Sequence, residues 1–258
     1  MSAAPGRPQA SSHRSPQGEG DTVTLLQVKN VSKQFGGLTA NQDVSFTVEK
    51  AQVVGLIGPN GAGKTTMFNC VAGFFAPTAG TILLNGRNIA GLPPEACARA
   101  GVARTFQVAR TFTSMTACEN VMTAALLLQH NVSKARVVAM EWLAFVNLQH
   151  FADKPAGSMT ISEQRRLAVA RAMAIEPSIL LMDEVMAGLN PSEVREAVDV
   201  VLKIRARGTA CLIVEHVLEG IMPIADKIVV LDRGVKIAEG TPQQVSNDPT
   251  VITAYLGD

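Results

Sequence analysis

One segment constrains this chain more than any other. After the apolar run Val53-Val54-Gly55-Leu56-Ile57 stands Gly58-Pro59-Asn60-Gly61-Ala62-Gly63-Lys64-Thr65-Thr66, a full match to GxxxxGK(S/T). A strand pattern before it and a helical pattern after it supply the context that the motif requires. Its glycines let backbone N–H groups converge on a polyphosphate, and the following helix adds the partial positive charge of its N-terminus. Lys64 is placed to reach the β- and γ-phosphates, and the Thr65 hydroxyl to ligate Mg²⁺. A Gly-rich turn that fits by chance would lack the flanking strand and helix. The segment implies an α/β fold that binds a nucleoside triphosphate.

The rest of the chain agrees with that fold. Short apolar runs such as VVGLI, ILLM and CLIV have no polar face, as expected of strands buried in a parallel sheet. The Asp232-Arg233-Gly234 turn between two apolar runs predicts a tight hairpin closing at Gly234. Roughly residues 92–175 read as helical. One stripe carries Val137, Met140, Leu143 and Leu148, and another carries Leu167, Ala170 and Met173 or Ala174. Residues 1–21, rich in Ser, Pro and Gly and without Leu, Ile, Val or aromatics, read as a disordered tail. The expected organisation is therefore that tail, then one domain over 22–258 with a helical subdomain inserted at about 92–175.

Composition excludes several functions. Lys plus Arg number 23 against 22 Asp plus Glu, so no basic footprint for nucleic acid is present. The four cysteines and four histidines are scattered, which offers no zinc cluster and fits buried thiols in a reducing compartment. The uncharged stretch Thr65 to Gly86 is broken by Asn69, Gly73, Pro77 and Gly80, so it does not read as a membrane span.

A second chemical signal is SILLMDE. An apolar strand ending in acids puts Asp183 at the carboxyl edge of the sheet, able to hold the Mg²⁺ shell. Glu184 beside it can orient or deprotonate a water that attacks the γ-phosphate. The plainer alternative is a pair of acids at a helix N-terminus, favoured by the macrodipole. The phosphate loop in the same chain favours the functional reading.

With these motifs in order, the chain from Leu25 onward resembles the ABC transporter ATPases. Gln107 in GVARTFQ matches the family's Q-loop glutamine, which touches Mg²⁺ and the attacking water. His216 in LIVEHV matches the switch histidine at the γ-phosphate, and Phe35 in SKQFGGL matches the aromatic that stacks on adenine. Phe35 read by itself fits a core position as well. FGGLTANQDVSF, GPNGAGKTTMFN, GVARTFQVARTF and the ending DPTVITAYLGD are most similar to the LivG-type ATPases of branched-chain amino acid importers; ATPases of urea or amide importers are also similar. The resemblance implies a parallel-sheet core, an antiparallel β subdomain and the inserted helices. It also implies ATP and Mg²⁺, and a head-to-tail hetero- or homodimer with a second ABC ATPase subunit. Integral membrane permease subunits and, indirectly, a periplasmic or extracellular solute-binding protein are the other implied partners. The implied location is peripheral, at the cytoplasmic face of the inner membrane.

Departures from the family pattern matter. Its LSGGQ-like signature, which closes over the ATP of the partner subunit, falls at Met159-Thr160-Ile161-Ser162-Glu163. Thr160 and Glu163 form an S/T-x-x-E capping box. Ser162 brings a Cβ where glycine lets backbone approach phosphate, and Glu163 adds a negative charge. Val185 replaces the usual Pro, and Asn190 stands where Asp is usual. These changes predict slow turnover at the site that uses this signature, or alternatively an ATP-binding regulatory subunit. A soluble ABC ATPase of repair or translation would bring a second module or coiled-coil insertions, which are missing from the sequence.

Overall fold

The computed structural model describes residues 24–105 and 111–256. The expectations for residues 1–21 and for Gln107 lie outside the described residues.

Two sheets grip the helix that follows the phosphate loop. Thr24–Phe35 (β1) and Leu38–Glu49 (β2) form a long antiparallel pair turning at Gly36. Val53–Ile57 (β3), buried at every residue, runs into the phosphate loop and then Lys64–Val71 (α1). Ala79–Leu84 (β4) and Arg87–Asn88 (β5) complete an antiparallel sheet of order β2-β1-β4-β5. Pro94–Ala100 (α2) leads to Val102–Arg104 (β6). Then come Ala117–Ala125 (α3), Val132–Phe145 (α4) and Ile161–Met173 (α5). The remainder alternates: Ile179–Asp183 (β7), Pro191–Ala206 (α6), Ala210–Val214 (β8), Leu218–Ile221 (α7) and Lys227–Asp232 (β9). Val235–Gly240 (β10), Pro242–Ser246 (α8) and Pro249–Leu256 (α9) end the described chain.

The main sheet has the order β10-β9-β3-β8-β7-β6, parallel except for β10. Its strands alternate between two cores. Val54, Leu56, Leu181 and Leu212 pack with α1 and the antiparallel sheet, while Val53, Leu180, Met182 and Ile213 face the helices on the other side. A fully buried strand therefore needs no polar face, which is what the apolar runs anticipated. Phe68 of α1 is wholly buried between the sheets, and truncating such a side chain costs about 3–5 kcal/mol. The core thus fixes the loop that α1 terminates.

The hairpin between β9 and β10 turns through Arg233 and Gly234, both at positive φ, as a type I′ turn requires. Two differences from the sequence reading appear. β6 lies inside the span read as helical and forms an edge of the main sheet, because three residues are too few to show a period. In α4 the buried positions are Ala135, Ala139, Trp142 and Leu143, whereas Val137 is 58% exposed. Leu143 and, beyond the helix, Leu148 are buried as expected, but the rest of the buried face is Ala135, Ala139 and Trp142, where alanines allow close approach to α3 and Trp142 supplies the bulk. In α5, Leu167, Ala170 and Met173 are buried as expected.

Candidate functional site

The loop at the start of α1 is built to leave donors bare. Gly63, at φ +92°, is the N-cap of α1; it offers no side-chain cap, and the first turn holds no acid. A Cβ on Gly63 would lie 2.4 Å from Asn41 Nδ2 and 2.5 Å from the Ala40 carbonyl oxygen. Lys64 folds back over the loop, its Nζ donating to the carbonyls of Gly58 at 2.7 Å and Pro59 at 2.8 Å. Burial pushes its ammonium below the ordinary lysine value, with Glu184 and Asp183 opposing that shift. Residues Asn60 to Thr66, Glu184, His216 and the β2 segment Leu38 to Ala40 line one open cleft of about 590 Å³. Phe35 stands outside that lining. Its ring packs edge-on against Phe75 at 5.2 Å, with Lys33 Nζ 4.7 Å from the ring centre.

At the carboxyl end of β7, two adjacent acids diverge. Asp183 is buried, and its Oδ2 accepts from Arg104 Nη2 at 2.9 Å. Burial raises its proton affinity and the Arg104 guanidinium opposes the rise, leaving the carboxyl above its ordinary value. Glu184 turns the other way, into the cleft. It adopts φ +49°, a conformation that strains a residue with a Cβ, and its N–H donates to Val214 O at 2.8 Å. Its Oε1 lies 2.9 Å from His216 Nε2, so the acid and the histidine form one pair facing the loop.

The Thr160–Glu163 segment is arranged differently. Thr160 Oγ1 accepts from the Glu163 N–H at 3.2 Å, and Glu163 Oε2 accepts from the Thr160 N–H at 2.8 Å, the expected capping box of α5. Burial works against the Glu163 charge, but the Thr160 N–H and Lys154 Nζ, 3.4 Å away, outweigh it and hold the carboxyl below its ordinary value. Ile161 is 71% exposed. Ser162 is buried and faces Val185 and Leu189 across a narrow gap. The Ser162 side chain thus packs within the protein, towards α6 and the segment after Glu184. Asn190 caps α6, its Oδ1 accepting from the N–H groups of Ser192 and Glu193, both at 3.0 Å.

Known proteins match this arrangement closely. The family described as ABC transporter matches residues 41–187, and that described as branched-chain amino acid ATP-binding cassette transporter matches residues 235–258. The chain is 43% identical over 250 residues to the high-affinity branched-chain amino acid transport ATP-binding protein BraF of Pseudomonas aeruginosa, across 91% of this chain and 98% of BraF. It belongs to the ABC transporter ATPases. LivG of Escherichia coli, also a high-affinity branched-chain amino acid transport ATP-binding protein, is 41% identical over 250 residues, again across 91% of this chain and 98% of the relative. The crystal structure of MJ1267 in its ADP conformation, described as an ATP-binding cassette of an ABC transporter, superposes with a TM-score of 0.85 at 30% identity. That superposition covers 92% of this chain and all of the other (100%). The chain is thus the ATP-binding subunit of an ABC transporter, within the LivG and BraF group. No described helix is long and apolar enough to cross a membrane.

Several residues of this ATPase site escaped the sequence reading. Fully buried Asn41 donates from Nδ2 to Gly63 O at 3.2 Å, and the Gly234 N–H donates to Ala62 O at 3.2 Å, so β2 and the β9–β10 turn brace the loop. The Tyr255 hydroxyl, from α9, bonds to the backbone of Gly58. Glu215 is wholly buried, and its Oε1 accepts from the Met186 N–H at 2.7 Å. It ties the segment after Glu184 to the one that carries His216. A charged residue at the end of an apolar run, directly before His216, was the available signal.

Proposed function

We propose that this subunit hydrolyses Mg²⁺-ATP to energise import of branched-chain amino acids. The observation that carries the reading is the Glu184–His216 pair, 2.9 Å apart, opening onto the cleft lined by Lys64 and the phosphate loop. The loop's N–H groups and Lys64 hold the β- and γ-phosphates, and little covalent chemistry is asked of the protein. Glu184 accepts a proton from the water that attacks the γ-phosphorus. His216 holds the Glu184 carboxylate in place and bonds the γ-phosphate.

Thr65, exposed on the first turn of α1, and Asp183 offer hard oxygen ligands of the kind that Mg²⁺ prefers. Gln107 is proposed as a further contact to the ion and the attacking water, and Phe35 as the adenine-stacking ring. Bound Mg²⁺ supplies neutralisation of the phosphate charge. The cargo assignment rests on the LivG and BraF likeness and on the C-terminal family match. In the proposed assembly a second ATPase subunit supplies its signature over this chain's loop. This chain sits at the cytoplasmic face of the membrane, permease subunits carry the cargo across it, and a solute-binding protein feeds them.

Glu184→Gln is expected to lower turnover by roughly 10²-fold or more while ATP still binds. Equal turnover in variant and parent overturns the assignment. A regulatory subunit that binds ATP with little hydrolysis is a second reading, favoured by the Glu163 carboxylate that fills the N-terminus of α5. Tight ATP binding without turnover, even with the partner ATPase present, would select it.

A further inference from the structure

We infer that Arg104 is a positioning residue that sets the spacing between the two oxygen ligands assigned to Mg²⁺, Thr65 and Asp183. The inference rests on that Mg²⁺ assignment and deepens it. Arg104 ends β6, and its guanidinium joins two other elements. Nη2 donates to Asp183 Oδ2 on β7 at 2.9 Å, and Nη1 donates to Asn69 Oδ1 on α1. The guanidinium carbon lies 4.9 Å from the Phe68 ring centre and 5.1 Å from that of Phe74. The Arg104 and Asp183 side chains are only 11% and 9% exposed.

Burying such a pair is costly, and apolar residues of the same size would fill the space at least as stably. What they would not do is fix a direction. A guanidinium is a rigid planar fork, so two acceptors held by different nitrogens are held at a set separation. Asn69 lies one helical turn beyond Thr65 on the same face of α1. Through Asn69 the fork fixes α1, and with it the Thr65 hydroxyl, against the Asp183 carboxylate. The contact engages Oδ2, and no hydrogen bond to Oδ1 forms among the described residues, so one oxygen stays available to the metal shell. Lysine at this position would keep the charge, but a single flexible nitrogen would not hold the two acceptors at the separation that the fork sets.

The test measures affinity for a fluorescent, non-hydrolysable ATP analogue, first in EDTA and then across a MgCl₂ titration. Parent, Arg104→Met, Arg104→Lys and Asn69→Ala chains are compared. In EDTA all four are expected to bind alike, because the loop donors are untouched. With Mg²⁺, Arg104→Met should need roughly tenfold more ion for half-saturation, as loss of a charge-assisted bond implies. Arg104→Lys and Asn69→Ala should fall between it and the parent. An unchanged or lowered Mg²⁺ requirement overturns the inference, the lowered one marking Arg104 as a stand-in that the ion displaces. Equal weakening in EDTA and in Mg²⁺ marks a purely structural role and overturns it too. If the parent itself gains nothing from Mg²⁺, the metal assignment fails rather than the role of Arg104.

Discussion

The phosphate loop and the proposed signature segment of this ATPase both lie at helix N-termini, and they treat those N-termini in opposite ways. At α1 the cap is Gly63, without a side-chain bond and without an acid in the first turn. At α5 the cap is Thr160, and Glu163 closes the box with its own carboxylate. Each helix presents the same partial positive charge. One leaves it for an anion from outside, whereas the other neutralises it from within. An uncapped N-terminus held rigid by the fold is ready for an anion; at α5 the capping box already engages the Thr160 and Glu163 N–H groups and places a carboxylate beside the rest. The comparison accounts for an intact phosphate loop in a chain whose signature is altered.

The largest effect should come from distorting the bare end. Gly63→Ala puts a Cβ against Asn41 and the Ala40 carbonyl in a backbone conformation that alanine resists. ATP affinity, measured by equilibrium binding, should fall roughly 100-fold, the equivalent of about 3 kcal/mol of displacement and strain. Binding within a few fold of the parent would break the comparison.

Next in size is a pH effect behind the Glu184–His216 pair. Burial lifts the Glu215 carboxyl to about 7, with the N–H groups of Met186, Val217 and His216 opposing, and its Oε2 is buried without a partner. A raised value means that the folded state binds the proton more tightly. The stabilisation is complete below about 4.5, and it is lost as pH rises through about 7. The sum is on the order of 3 kcal/mol. Tm should therefore drop from pH 5 to pH 8 more steeply in the parent than in Glu215→Gln, and parallel curves would refute this.

At the capped end, changes should touch stability before chemistry. Thr160→Ala removes the acceptor for the Glu163 N–H and should lower unfolding free energy by about 1 kcal/mol in urea melts. No loss would mean that the box contributes nothing and that the contrast with α1 is empty.

Much of this contrast was legible in the sequence, because its parts are local. GxxxxGK(S/T) states both its backbone and its ligand, and Thr160 and Glu163 stand at the spacing that a capping box requires. The I′ turn at Arg233-Gly234 and the apolar strands are local too. What stayed hidden depends on partners far along the chain. Arg104 meets Asp183 across 79 positions, and Asn41 meets Gly63 across 22. The Tyr255 contact with Gly58 needs the C-terminal helix to fold back onto the loop. The inward turn of Ser162 follows from the packing of α5 against the segment after Glu184, which no motif encodes. Val137 was misread onto the buried face of α4 because alanines, apolar but small, make a weaker stripe than that exposed valine, whereas Leu143 lies on the face as expected.

The most direct measurement is ATP turnover of the purified chain beside Glu163→Gln, with Glu184→Gln as the blank. Glutamine keeps the capping geometry and removes only the charge. If the carboxylate is what closes the N-terminus of α5 to phosphate, turnover should rise several-fold, roughly what about 1 kcal/mol supplies, with Tm little changed. Turnover that stays at the parent level, or falls, would contradict the account.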